Sequence, residues 1–135
     1  MRKINKIIVH CSATPPDLDI GATEIRDWHT NGNGWIDIGY HYVIRRSGDL
    51  EKGRLDDVIG AHARGHNDDS ISICLVGGVD VDKKPDCNFT REQWATLERK
   101  VGELSFTYAD ATVIGHRDVS SKACPCFDVN QWWRG

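Results

Sequence analysis

Apolar residues along this chain recur in two rhythms, short β-branched runs and stretches with helical spacing. Lys6 to His10 is the first run. Its Ile7-Ile8-Val9 core predicts a strand that ends in the loop Ser12-Ala13-Thr14-Pro15-Pro16, where a proline pair cannot continue a central strand. From Thr23 to Thr30, Ile25, Trp28 and His29 fall three and four apart, so an amphipathic helix is expected, closed by Gly32-Asn33-Gly34. Tyr40 to Arg46 reads as a strand, Ser47-Gly48-Asp49 as a turn, and Leu50 to Gly53 as the antiparallel return. Ser70 to Val76 has the character of a buried strand ending at Gly77-Gly78, and Asp80 to Asn88 is a polar loop. A longer helix is expected from Thr90 to Ser105, with Thr90 and Gln93 at capping-box spacing. Thr112 to Ile114 predicts a short strand before Gly115-His116, and Val129 to Trp133 a short terminal helix.

Strands and helices interleave, partly through a hairpin, so the expected class is α/β (α+β) with a central mixed β-sheet flanked by helices. With 135 residues, no internal repeat and no linker, one domain over residues 1–135 is expected. Net charge is −3, which gives no basic field for nucleic acid. No apolar run approaches the ~20 residues of a membrane span, so membrane insertion is not expected. The basic start Met1-Arg2-Lys3 resembles a leader, but the apolar run after it stops at His10, too short for a cleaved signal. A monomer held in the cytoplasm until lysis or export is the expectation. Cys11, Cys74, Cys87, Cys124 and Cys126 make an odd set without disulfide-scaffold spacing, and read as free thiols. Cys11 and Cys74 fall in or beside apolar strands and read as small buried hydrophobes.

The candidate chemistry lies just beyond strands and in loops. His10, His116 and Cys124 are possible Zn²⁺ ligands, and three protein ligands would leave a fourth position for water, as in a catalytic site. Pro125 favours an extended Cys124, which would point Lys122 and Cys124 the same way. A thiolate and two neutral imidazoles leave zinc one net positive charge, so a lysine ammonium nearby would add charge where an oxyanion develops. Tyr40 could hold a water or take part in proton transfer. Spacing alone leaves the bland alternative open, because a lone loop histidine is commonly a hydrogen-bonded structural residue.

Longer strings narrow the choice. Ile8-Val9-His10-Cys11-Ser12-Ala13-Thr14 is followed by Gly39-Tyr40-His41-Tyr42, by Gly60-Ala61-His62-Ala63-Arg64-Gly65-His66-Asn67, and by Ser70 through Gly78. Then come Asn88-Phe89-Thr90, Gly115-His116-Arg117-Asp118 and Lys122-Ala123-Cys124-Pro125-Cys126-Phe127-Asp128. This succession, from Ile7 to Trp133, resembles the type-2 N-acetylmuramoyl-L-alanine amidase family, most closely its short phage-lysozyme branch, in the superfamily of peptidoglycan recognition proteins. The resemblance implies a mixed sheet with an open groove and one Zn²⁺ ion per chain at its floor. It implies His10, His116 and Cys124 as metal ligands, and Tyr40 and Lys122 as catalytic residues. The expected activity is hydrolysis of the amide between N-acetylmuramic acid and the L-alanine of the stem peptide, with peptidoglycan as the partner. Phage or prophage endolysin is the biological role it suggests. Members that only bind peptidoglycan typically lack a zinc ligand, and none is missing here.

Other residues carry two readings each. His62 and Asn67 are candidates for substrate binding, against a loop-stabilising hydrogen bond. His41 is expected to pack on the sheet face opposite Tyr40. His29 and His66 are not expected to ligate. Cys126 stands where close relatives often have serine; it could serve as a fourth, structural ligand or pair with Cys124 on oxidation. Trp35, Trp132 and Trp133 read first as packing and second as sugar platforms. Arg45-Arg46, Asp68-Asp69 and Asp80-Val81-Asp82 read as solvated.

Overall fold

The β-branched run near the N-terminus becomes β1, Lys6–Cys11, in the computed structural model, which describes residues 2–134. It is followed by α1 (Ala22–Asp27), β2 (Tyr42–Ile44), β3 (Leu50–Lys52), β4 (Ser70–Leu75), α2 (Arg91–Thr107), β5 (Thr112–Gly115) and α3 (Val129–Arg134). The sheet order is β3-β2-β4-β1-β5. β2 and β3 form the expected antiparallel hairpin, while β2–β4, β4–β1 and β1–β5 are parallel, so the sheet is mixed.

Side-chain alternation divides the sheet into two unequal faces. Ile7, Val9, Ile71, Ile73, Leu75, Tyr42 and Ile44 face α2, where Leu97, Val101 and Leu104 complete the larger core. A smaller cluster of Ile25, Ile38, Val43, Cys74 and Val76 lies under α1. The α1 face also carries Ser70 and Ser72 of β4, both fully buried. Each buried isoleucine or leucine on the α2 face contributes about 1.5–3 kcal/mol. That surplus offsets a polar row on the other face, provided each serine finds a partner.

Element boundaries differ from expectation where side chains replace backbone partners. Regular β2 begins at Tyr42 rather than Tyr40, because the His41 N–H donates to Ser72 Oγ (3.1 Å) instead of a neighbouring carbonyl. α1 stops at Asp27 and continues as a wider π turn, Trp28–Gly32, in which the Asn33 N–H reaches Trp28 O at 3.2 Å. Such widened turns commonly mark functional positions. The expected capping box is present at α2: Thr90 Oγ1 accepts from the Gln93 N–H (3.1 Å) and Gln93 Oε1 from the Thr90 N–H (2.9 Å). Gln93 is fully buried, and its Nε2 donates to Val76 O (2.8 Å) and Ile44 O (3.2 Å), tying α2 to two strand ends.

Arg46 is not the solvated residue expected. It donates to Gln93 Oε1 (3.1 Å) and Val76 O (3.3 Å), and burial pulls its guanidinium below the usual range. Asp69 likewise pairs with Lys6 at 2.6 Å, tying the start of β1 to the start of β4. Gly78 adopts φ of +100°, and a side chain there would collide with Cys11 Sγ. That residue has to be glycine for the chain leaving β4 to pass β1. Among the described residues, no helix is long and apolar enough to cross a membrane.

Candidate active site

Parallel pairing of β1 with β5 assembles the first part of the site. The register sets Val9 opposite Gly115, so the residues that follow, His10 and His116, emerge together at the carboxyl ends of adjacent strands. In open α/β sheets that edge is where ligands bind. The two imidazole rings stand 4.4 Å apart between centroids. His116 opens a short 3₁₀ turn, His116–Asp118, braced by Asp118 Oδ2 accepting the Gly115 N–H at 2.8 Å. Cys124 joins them from the following loop, where the Arg117 N–H donates to its carbonyl at 2.7 Å. The Cys124–Pro125 peptide bond is cis.

The ligand atoms of His10, His116 and Cys124 all lie within 4.8 Å of one another. Both histidines are buried, and burial pushes their pKa values down: His10 well below the usual value, with His62, His116 and Lys122 adding to the effect, and His116 with help from Lys122. Each is therefore a neutral imidazole with a lone pair at neutral pH. The Cys11 backbone N–H donates to Cys124 Sγ at 3.1 Å and so fixes the sulfur beside the two imidazoles. Two neutral nitrogens and a sulfur in one cluster, with no fourth ligand side chain among the described residues, fit a divalent metal of intermediate softness and an open position. These three are the residues that the sequence offered as candidate ligands.

Tyr40 stands over His10, with ring centroids 5.1 Å apart. Burial, then the neighbouring thiols, raises its phenol well above the usual value, so it is a neutral hydrogen-bond donor. Lys122 and Cys124 line the same cavity of about 320 Å³, together with His10, His116 and Tyr40. Lys122 is exposed at its rim and also borders an adjoining cavity of about 560 Å³. The two cavities share Trp35, Ala61, His62, His116 and Lys122, and so form one groove.

His62 lies at the floor of this groove. Its Nδ1 is 2.8 Å from His10 Nε2, and its Nε2 is 3.0 Å from Ser70 Oγ. Burial pushes its pKa down to about 3, so it too is neutral. Asn67 borders the outer cavity, yet its Oδ1 accepts the backbone N–H groups of both His62 and Ala63 at 2.9 Å, bracing the loop that carries His62. His41 is fully buried and bonds Ser72 Oγ (3.1 Å) and Val58 O (2.8 Å), so it packs as expected, but on the α1 face that Tyr40 also packs against rather than the opposite one, because regular strand alternation begins only at Tyr42.

Some contributors gave no signal in the sequence. His29, carried on the π turn, accepts the Gly39 N–H through Nδ1 at 2.9 Å and packs on Trp35 and Tyr40, with centroids at 4.7 and 5.6 Å. Arg54 donates to Ile38 O (2.6 Å) and Ile59 O (2.7 Å), joining the segments before Tyr40 and before His62. Ser70 is identifiable only once β4 is known to turn its serines toward the site. Trp35, read first as a packing residue, is 38% exposed at the seam of the two cavities. Trp132 and Trp133 instead belong to an aromatic cluster with Trp94 and Phe127 on the α2 side. Cys126 donates to Gly78 O at 3.1 Å and stands outside the ligand cluster. All five cysteines are free.

Known proteins resemble this chain over nearly its full length. Residues 1–127 match the family model described as N-acetylmuramoyl-L-alanine amidase. The endolysin of Klebsiella phage KP32 is 46% identical over 132 residues, covering 98% of this chain and 87% of the relative. Among solved structures, the Ph2119 endolysin from a Thermus scotoductus bacteriophage superposes with a TM-score of 0.80 at 28% identity, over 93% of this chain and 79% of that one. A mutant of Drosophila PGRP-LB in complex with tracheal cytotoxin does so with a TM-score of 0.78 at 27% identity, over 93% and 76%.

Proposed function

This chain belongs to the N-acetylmuramoyl-L-alanine amidase family, and from that premise we propose that it is an endolysin-type peptidoglycan amidase. Its substrate is the amide bond between the lactyl group of N-acetylmuramic acid and the L-alanine of the stem peptide. The metal is zinc, one ion per chain, held by His10, His116 and Cys124. The observation that carries the reading is the convergence of these three donors within 4.8 Å at the floor of a groove also lined by Tyr40 and Lys122.

A zinc ion held by His10, His116 and Cys124 would supply Lewis acidity and a water of lowered pKa. Tyr40, neutral and fixed over His10, hydrogen-bonds the attacking water and aims it across the cavity. Lys122 sits at the rim, where its ammonium stabilises the oxyanion that develops on the carbonyl oxygen. The Cys11 amide holds the Cys124 sulfur in place, and Arg54 and His29 hold the Tyr40 segment. The groove extends past His62 to Arg64 and Asn67, a length that suits a glycan-linked peptide rather than a small amide. With endolysins as its relatives, the proposed place of action is the cell wall after release by lysis.

Purified protein incubated with purified sacculi tests this, with a chelator arm, a zinc add-back arm and mass spectrometry of the soluble products. Free stem peptides beginning with L-alanine, lost on chelation and restored by zinc, are expected. Zinc-loaded protein that pellets with the wall and releases nothing would replace catalysis with a peptidoglycan-binding role.

A further inference from the structure

Resting on the zinc reading above, we infer that His62 is a positioning residue for the metal: it receives the Nε2 proton of His10 and thereby leaves His10 Nδ1 as the ligating nitrogen. His10 Nε2 and His62 Nδ1 are 2.8 Å apart, within hydrogen-bond distance, and one of them must carry the proton. His62 Nε2 is bonded in turn to Ser70 Oγ at 3.0 Å, on a fully buried serine. Only two proton arrangements are possible for neutral rings. In one, His62 donates from Nδ1, His10 accepts at Nε2, and the second His10 nitrogen carries the proton. His10 then has no lone pair left for a metal. In the other, His10 donates from Nε2, His62 accepts at Nδ1, and His62 Nε2–H donates to Ser70. His10 Nδ1 is then unprotonated and free to bind.

The position of His62 supports the second arrangement. It touches His10 directly, yet it is not among the residues whose ligand atoms cluster within 4.8 Å. His62 thus contacts His10 without joining the His10–His116–Cys124 group, the relation an orienting partner has to a ligand. Its own loop is stiffened for this purpose, because Asn67 Oδ1 accepts the His62 and Ala63 N–H groups at 2.9 Å. β4 contributes Ser70 from the first position of the strand, on the sheet face that His62 covers, where its hydroxyl meets His62 Nε2. The histidine of the Gly-Ala-His string is thus a half-buried link between sheet and metal ligand, rather than primarily a substrate contact.

The test measures zinc affinity of the full chain by competition with a chromophoric chelator, for wild type, His62→Ala, His62→Asn and His62→Leu. His62→Ala is expected to weaken zinc binding about 10–100-fold, the usual effect of losing an orienting partner. His62→Asn restores an acceptor oxygen close to the Nδ1 position and is expected to recover most of the affinity. His62→Leu fills the void without offering an acceptor, so rescue by asparagine but not by leucine separates positioning from packing. Wild-type affinity in His62→Ala, with only KM raised on sacculi, would overturn the inference and return His62 to substrate binding. Should His62→Ala fail to fold, long-range proton–nitrogen correlation on the zinc-loaded wild type decides instead. A protonated Nε2 at His10 is expected, and a protonated Nδ1 would overturn the inference. Failure of wild type to bind zinc would remove both this inference and the zinc reading, whereas tight zinc binding in every variant would remove this one alone.

Discussion

The backbone N–H of Cys11 donates to the Sγ of Cys124 at 3.1 Å, joining residues 113 positions apart in the chain. β1 therefore serves the site twice, presenting His10 as a side chain and Cys11 as an amide donor. The donor matters because a thiolate needs hydrogen bonds more than a neutral thiol does. Replacing Cys124 by serine keeps the size but removes the soft anionic ligand. Cys124→Ser is expected to lower zinc affinity by more than about 100-fold, beyond the loss typical of an outer partner, and to abolish stem-peptide release. Cys124 is only partly buried, so the zinc-free melting temperature should shift little. Metal content after dialysis and a thermal melt of the zinc-free protein check both halves.

Lys122 separates catalysis from metal binding. It lines the cavity without belonging to the ligand cluster. Lys122→Ala is expected to keep zinc at one equivalent while turnover on sacculi falls about a hundred- to thousand-fold, as for other lost oxyanion stabilisers. KM should change far less than kcat. Full turnover in this variant would remove Lys122 from the mechanism.

The legibility of this molecule in its sequence follows from how local each signal is. The first strand, the β2–β3 hairpin and the α2 capping box depend on neighbours within a few residues, and they were readable. His10, His116, Cys124, Tyr40 and Lys122 each sit in a recognisable string, and the fold brings all five to one cavity. What stayed hidden depends on long-range pairing. Nothing near Ser70 announces that it will meet His62, since that contact requires β4 to lie beside β1 in one register. Arg46 beside Arg45 looks like any exposed basic pair until α2 brings the buried Gln93 against it. The π turn at Trp28–Gly32 was equally invisible, because the apolar spacing there fits an ordinary helix as well.

Cys126 tests whether the metal centre is open or closed. A structural zinc site would need a fourth ligand, and Cys126 is the nearest candidate in sequence to Cys124. It lies outside the cluster instead, with φ of +75° and its thiol donating to Gly78 O at 3.1 Å. Burial, then Cys11, pushes that thiol up to about 11, so it donates to Gly78 O as a neutral group. A serine hydroxyl can make the same bond. Cys126→Ser is therefore expected to bind one zinc with unchanged affinity, to retain activity, and to melt within about 1 kcal/mol of wild type. Loss of metal together with stability would instead mark a closed structural site.

Tyr42 gives a stability prediction with a defined pH dependence, on the sheet face away from the metal. Its hydroxyl donates to both oxygens of Asp56, at 2.7 and 2.9 Å, and Lys52 pairs with the same carboxylate. Burial alone would raise the Asp56 carboxyl, but the Lys52 and Tyr42 hydrogen bonds outweigh it and leave the pKa lowered. A carboxyl held lower in the folded chain than in the unfolded one contributes stability that is fully present above the unfolded value, about 4. That contribution is lost as pH falls through the folded value. Tyr42→Phe removes one donor and keeps the ring against Lys52 and Lys100, whose Nζ atoms lie 3.9 and 4.3 Å from its centroid. At pH 7 the variant should be about 1–2 kcal/mol less stable than wild type, the usual worth of a hydrogen bond to a charged group. The gap should narrow as the medium is acidified below pH 4, because protonated Asp56 no longer rewards the phenol as strongly. Urea unfolding of both proteins from pH 7 to pH 3 measures the gap directly, and subtraction removes the contributions of Asp37 and Asp69, which the two proteins share. Activity at neutral pH should be unchanged; a gap that stayed constant across the range would show that Asp56 is not the partner through which Tyr42 acts.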